Sequence, residues 1–433
     1  MLLTADWVLP VSRGPIRDGG VIVEDDRIVE VASAEGLLGH PLASEHRHFA
    51  SCVLLPGLVN AHTHLSLTAL EGLIEPSAFE DWLPRLVKAL GTWDASDYAA
   101  SARLGALRCV ESGVTVVGDI VYGPEAPEAA EKYGLGGVFY WEVLGVTGAE
   151  LYAELEREHF PKIGGRGACG PRLRCGISPH SPYTSGPTLL HAVHEAAMEL
   201  RVPVAIHAAE STAETQLLHT GEGPLAGTAQ RLAKGFEAPG VGAVAYLDRM
   251  GVLDGTTVIH LSQMQPSDVP RLAAASRGVV TCPRSNRYLG SDAPEIRRML
   301  GAGIPVGVGT DSLASNTDLD LIAELRALQE SDAQISPGKL IEMATAMGAI
   351  ALGVEDRYGV LERGMQADIA AFRIPHTNDP ESVLIETGGA ATLEALMAGG
   401  AWRVKDGAAL EDSAAVTSAA AASRDRAAEA LRG

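Results

Sequence analysis

The chain has 433 residues, 46% hydrophobic and 21% charged, close to the averages of globular proteins, which excludes a disordered or fibrous chain over most of its length. Lys and Arg total 34 against 55 Asp and Glu, a formal charge of -21. A surface field of that sign repels phosphate backbones and anionic lipid, so neither nucleic acid nor a membrane is an expected partner.

No run of about 18 apolar residues marks a membrane span. Residues 1–10 carry no basic residue before their short apolar run, so no signal peptide is expected. The cysteines (Cys52, Cys109, Cys169, Cys175, Cys282) are odd in number and lack C-x-x-C spacing. They predict neither a disulfide framework nor a Cys-based zinc knot, and a reducing cytoplasm fits best.

Two short β-branched runs, 21–24 and 28–31, flank Asp25-Asp26-Arg27 and predict an N-terminal hairpin. From residue 52 the pattern changes to short apolar runs, each followed by a segment of helical spacing. Eight runs follow, at 53–60, 114–120, 136–143, 173–178, 203–207, 257–261, 279–282 and 305–309. Candidate helices cover 98–112, 187–201, 266–277, 293–302 and 319–331. Eight strands alternating with helices predict a closed (β/α)8 barrel over 52–354, with an open sheet as the alternative. A helix-rich stretch, 339–352, then yields to strand-like pieces at 359–372 and 401–410. These resemble the N-terminal hairpin, so residues 1–51 and 355–410 are expected to fold together as one small β domain. Residues 411–433 are Ala-rich and suit a terminal helix or a frayed tail.

His62 and His64 end the first run, and the two-residue period of a strand points both imidazoles to one face. His46 and His48 share that spacing within a polar connector, and His191 and His194 stand on a candidate barrel helix. Solvent exposure is the expectation for both pairs. His207 ends the fifth run, His260 ends the sixth, and Asp311 follows the eighth. All these positions lie where barrel enzymes build active sites, at the C-terminal ends of strands. Three imidazoles and a carboxylate, His62, His64, His207 and Asp311, suit Zn²⁺, with Fe²⁺ as second choice, and leave one coordination position for water. A bound ion lowers the pKa of that water from near 16 to about 7, so hydroxide is available at neutral pH. Glu210, three residues beyond His207, is the first choice for proton carrier; the alternative is that it caps the next helix. His260 is read as a group that orients the water, and Asp311 as able to accept its proton. The fourth run has no lysine to bridge a second metal, so one ion per chain is expected. It delivers instead His180, a candidate substrate contact.

The segments Pro56-Gly-Leu-Val-Asn-Ala-His62-Thr-His64, Ser178-Pro-His180-Ser-Pro-Tyr183, His207-Ala-Ala-Glu210, Ser285-Asn286, Gly309-Thr-Asp311-Ser312 and Leu361-Glu-Arg-Gly364-Met-Gln-Ala-Asp368-Ile together resemble the amidohydrolase superfamily, in its mononuclear branch of chlorohydrolases and deaminases. The resemblance spans nearly the whole chain. It implies a deformed (β/α)8 barrel and a composite β-sandwich from both termini. It also implies zinc held by His62, His64, His207 and Asp311, with Glu210 and His260 in proton transfer and water orientation. Within the branch, the segments around His64, Phe79-Glu-Asp-Trp82-Leu and Asp311-Ser-Leu-Ala-Ser-Asn316 are most similar to aminodeoxyfutalosine deaminases, then to deaminases of adenosine-type nucleosides. Cys282-Pro-Arg284-Ser-Asn286 departs from the N-P-x-S-N pattern of the branch, and Ser66 stands where relatives often carry an acid. Arg284 and Glu142, near strand ends, are further candidate substrate contacts, with ordinary surface pairing as the alternative; Trp82 is another, with core packing of an amphipathic helix as the favoured alternative. The expected activity is hydrolytic deamination of an aminated heterocycle such as an adenine nucleoside derivative. Dechlorination or cyclic-amide hydrolysis on the same site is the alternative, and an inactive scaffold of the same fold is the alternative from another class. A small molecule is the expected partner, with a homodimer left open.

Overall fold

A computed structural model describes residues 1–157, 170–233, 235–291 and 294–432. Four N-terminal strands, β1 (Leu2–Val8), β2 (Ile16–Glu24), β3 (Arg27–Ser33) and β4 (His46–Pro56), precede the barrel strands. Those are β5 (Leu58–Thr63), β6 (Val114–Val121), β7 (Gly136–Val143), β8 (Leu173–Pro179), β9 (Val204–Ala208), β10 (Thr256–His260), β11 (Gly278–Thr281) and β12 (Val306–Val308). Four more follow: β13 (Ile369–Arg373), β14 (Leu393–Ala398), β15 (Ala401–Lys405) and β16 (Ala408–Ala409).

β5 to β12 pair in sequence order as one parallel sheet. β6 is buried at every position, as expected of a sheet with helices outside and packed side chains within. The seam between β8 and β9 is loose, with Ile177 and Val204 their one registered pair, and this deforms the barrel. Between β12 and β5 the backbone pairing shrinks to a bridge of Thr63 with Asp311, reinforced by side chains. Asn60 Nδ2 donates to Thr310 Oγ1 at 2.7 Å, and Thr310 N donates back to Asn60 Oδ1 at 3.0 Å. Beside them Asp311 N donates to the carbonyl of His62 at 3.0 Å. Gly309 permits this approach, because a methyl group there would lie 2.6 Å from that same carbonyl oxygen. At the other end Ala349, Ala351 and Leu352 of the helix Ala346–Leu352 pack with Val59, Val116, Val138 and Ile259 and plug the barrel floor. Each buried Val or Ile there contributes about 1.5–3 kcal/mol.

The chain ends share a second sheet, in the order β16-β15-β14-β13-β4-β1-β2-β3, which forms the composite domain. β13 joins the halves by pairing antiparallel to β4, from Ile369 opposite Pro56 to Arg373 opposite Cys52. Arg172, just before β8, ties barrel to sheet through Asp368 at 2.6 Å and Gln366 at 3.0 Å.

The apolar run over 53–60 is not one strand. It crosses from β4 to β5 at Pro56-Gly57, and both sides are buried, so hydrophobicity does not mark the passage. Gly57 makes the crossing against Thr115, whose hydroxyl would stand 2.2 Å from any Cβ. The stretch over 266–277 contains the short helix Val269–Ala275, and 339–352 holds two, Pro337–Met343 and Ala346–Leu352. Residue 293 lies outside the described residues, and the helix there is Ile296–Gly301.

Residues 413–432 form one helix, Ser413–Arg432. It docks through buried Ala420 and Ala427, through Arg426 paired with Asp97, and through Ser423 Oγ donating to Asp97 Oδ1 at 2.6 Å. Among the described residues no helix is long and apolar enough to cross a membrane. Cys52, Cys109 and Cys282 are buried free thiols. Cys169 lies outside the described residues, and Cys175 is disulfide-bonded, a departure from the absence of disulfides expected from the odd count.

Candidate metal centre and active site

Five side chains from the C-terminal ends of β5, β9, β10 and β12 converge. The His62 ring centroid lies 5.0 Å from that of His64, 5.1 Å from that of His207 and 5.5 Å from that of His260. Asp311 Oδ1 is 3.6 Å from His62 Nε2 and 3.5 Å from His64 Nε2. Ligands around a tetrahedral zinc, each about 2.0–2.1 Å from the ion, stand roughly 3.3 Å apart, so these separations match a shared ion better than direct hydrogen bonds. His62 supplies the test of fit. It is fully buried, and neither ring nitrogen has a hydrogen-bond partner, an orphaning that buried polar groups avoid unless something else fills the gap.

The other ligand candidates are oriented from behind. His207 Nδ1 donates to the carbonyl of His180 at 2.8 Å, which turns Nε2 toward the centre. Nδ1 of His64 meets the Tyr122 hydroxyl at 3.2 Å. Asp311 Oδ2 accepts from Ser285 Oγ at 2.6 Å and Ser315 Oγ at 3.1 Å, while Oδ1 accepts from Ser312 N at 2.7 Å. Burial holds His62 below its usual pKa and that of His64 down to about 3. At Asp311 burial opposes the charge, but His62, His64 and His260 outweigh it and hold the carboxyl well below the usual range. Neutral imidazoles beside an ionised carboxylate are the protonation states a metal requires.

Glu210 reaches the same centre, with Oε1 3.6 Å from His260 Nε2. Burial, then Asp311, raises its pKa well above the ordinary carboxyl value, which favours the protonated form. Nδ1 of His260 meets Asn286 Oδ1 at 3.1 Å. Glu210 does not cap the next helix: Ser211 does so, accepting from Glu214 N at 3.2 Å. Glu214 in turn receives the backbone N–H groups of Ala209 at 3.0 Å and Glu210 at 2.8 Å. Ala209, His260, Leu261 and Asp311 have φ values of 52°, 76°, 56° and 58°, left-handed conformations that cost non-glycine residues about 1–3 kcal/mol each and cluster where function demands them.

His180 and Glu142 form a wall beside His207, one ligand atom from each lying within 4.8 Å of the others. Burial raises Glu142 to about 8 and leaves its Oε1 without a partner. His180 Nδ1 meets Thr184 Oγ1 at 2.9 Å. Trp82 and Arg284 lie outside the cluster. Buried Trp82 donates Nε1 to the carbonyl of Ala314 at 2.8 Å. The Arg284 guanidinium is bidentate on Asp318, at 2.7 and 2.8 Å. Both therefore fasten the segment that follows Asp311. His46 and His48 are exposed on β4, and His191 is exposed on its helix. Tyr122, Asn286, Ser285, Ser315 and Glu214 were given no role in the sequence reading. Ser285, Asn286 and Ser315 stood within quoted segments, whereas nothing in the local spacing marked Tyr122 or Glu214.

Residues 53–403 match the model of the amidohydrolase family. A 5-methylthioadenosine/S-adenosylhomocysteine deaminase of Desulforudis audaxviator is 31% identical over 417 residues, 92% of either chain. An aminodeoxyfutalosine deaminase of Deinococcus radiodurans is 32% identical over 378 residues, 84% of this chain and 88% of that one. Among solved structures, an adenosine deaminase from Xanthomonas campestris with bound zinc superposes with a TM-score of 0.84 at 23% identity, covering 98% of each chain. The convergent histidines and carboxylates thus sit on a shared fold and a shared sequence: this chain belongs to the amidohydrolase family and is a hydrolase of C–N bonds.

Proposed function

We propose that the chain deaminates a 6-aminopurine nucleoside altered at its 5′ side, aminodeoxyfutalosine or a close analogue, with one zinc per chain held by His62, His64, His207 and Asp311. The observation that carries this reading is the Glu210 carboxyl 3.6 Å from His260, beside two triads of ligand atoms that share His62, one with His64 and Asp311 and one with His207 and His260, each within 4.8 Å. The names of the relatives at 31% and 32% identity support the substrate class.

A zinc ion held by His62, His64, His207 and Asp311 would supply Lewis acidity that makes water a nucleophile at neutral pH. Glu210 gives its proton to the ring nitrogen next to the amino-bearing carbon. As a carboxylate it then takes a proton from the attacking water and passes it to the departing amine, which leaves as ammonia. His260, whose Nδ1 donates to Asn286 Oδ1, presents Nε2 as an acceptor that holds the incoming water by one of its hydrogens. Asp311 accepts a proton from the same water while remaining a ligand. Glu142 and His180 bind the polar edge of the nucleoside. Trp82 and Arg284 position the segment after Asp311 and do not touch substrate.

The test is ammonia release by metal-analysed protein from adenosine, 5′-methylthioadenosine, S-adenosylhomocysteine and aminodeoxyfutalosine. Turnover of 5′-methylthioadenosine, S-adenosylhomocysteine or aminodeoxyfutalosine in preference to adenosine supports the reading, and turnover of adenosine alone overturns its 5′ part. Consumption of a chlorinated azine or a cyclic amide with no ammonia from the nucleosides overturns it.

A further inference from the structure

The opposite end of the barrel carries a feature that deamination does not use. A hollow of about 420 Å³ lies below the starts of β8, β9, β10 and β11, against the ends of the helices Pro187–Leu200 and Ala346–Leu352. Its lining includes Arg174, Arg201, Arg277, His194, Asp254 and Met198. Three guanidiniums face one carboxylate, on a chain whose overall charge is -21.

Two of the three converge on a single peptide. Arg174 Nη1 donates to the Gly353 carbonyl at 2.6 Å, and a methyl group at Gly353 would lie 3.0 Å from Arg277 Nη1. Arg174 is offset only partly by Asp356, at 3.5 Å. Arg201 and Arg277 have no side-chain hydrogen bond or ion pair among the described residues, and Asp254 pairs with neither. Arg201 and Arg277 are exposed and Arg174 half-buried, and cationic groups lining one hollow give it a positive field that attracts anions. The planar donor fork of arginine matches phosphate oxygens. The volume exceeds what a bare ion needs and falls within the range of roughly 300–1,000 Å³ typical of small-molecule pockets. Met198, 69% exposed, offers apolar surface to the remainder of such a ligand.

We propose that this hollow binds the phosphate monoester of a small organic molecule, independently of the metal centre. The test is calorimetric titration of the full-length, zinc-loaded chain with ribose 5-phosphate, with ribose as the uncharged control. Saturable binding of the ester alone is expected, weaker as salt is raised. Arg201→Gln/Arg277→Gln should weaken it by about tenfold or more, and either single variant by less. Glu210→Gln should bind the ester as the parent does, which separates this site from the reaction centre. Binding unchanged in the double variant, or absent at millimolar ester, overturns the proposal. The arginines would then only complement the negative C-terminal ends of two helices.

Discussion

Ser285→Ala tests whether the side chains behind Asp311 set metal affinity. The hydroxyl of Ser285 donates to Asp311 Oδ2 at 2.6 Å, shorter than the 3.1 Å contact from Ser315. Both are buried, and a hydrogen bond to a charged acceptor contributes about 1.5–3 kcal/mol. Ser315 is also 3.0 Å from Ser285 Oγ and 3.1 Å from Ser312 Oγ, so its single proton can take over only part of the lost contact. Loss of that energy from the ligand-competent state weakens zinc binding roughly 10- to 150-fold. Competition against a chelator of known affinity reads this directly. Ser312→Ala is the control, because Asp311 Oδ1 is held by the backbone N–H of Ser312 at 2.7 Å, which the substitution keeps; its affinity should stay within about threefold. Equal affinity in the Ser285 variant and the parent would refute the reasoning.

Glu210→Gln should retain zinc and lose turnover by about 10²- to 10⁴-fold, whereas His207→Ala should lose both, as metal analysis beside ammonia assays will show. Asn60→Ala leaves Thr310 without the two buried hydrogen bonds that close the barrel, and denaturant unfolding should register a loss of about 2–4 kcal/mol. Burial raises Glu142 from 4.5 to about 8. A raised folded-state pKa stabilises fully below 4.5 and loses that contribution as pH climbs toward 8. Metal-free Glu142→Gln should therefore gain stability over the metal-free parent across that window, by about 3 kcal/mol at pH 7. Unfolding curves that stay parallel from pH 4.5 to 8 would contradict this.

The sequence exposed the barrel because parallel strands buried on both faces are near-continuous apolar runs between helical segments. Seven of the eight runs end within two residues of the observed strands. The exception hid Pro56-Gly57, where two buried strands abut and polarity does not change. That His62, His64, His207, Glu210 and Asp311 would meet was legible because each lies at or just beyond the C-terminal end of a strand, so chain direction alone places them at one mouth. Their supports were not. Tyr122 meets His64 across 58 residues of sequence and Asn286 meets His260 across 26, and such pairs exist only after the strands align. Arg284 and Trp82 show the converse limit. Their positions near the mouth were readable, but the partners that claim their side chains, Asp318 and the Ala314 carbonyl, follow from the path of the loop after Asp311.

Anomalous diffraction at the zinc edge from crystals of the purified protein tests the central claim most directly. One peak per chain is predicted, about 2.0–2.2 Å from a ring nitrogen of each of His62, His64 and His207 and from Asp311 Oδ1. Two peaks at the mouth, a peak coordinated elsewhere, or no stoichiometric metal in active protein would contradict it.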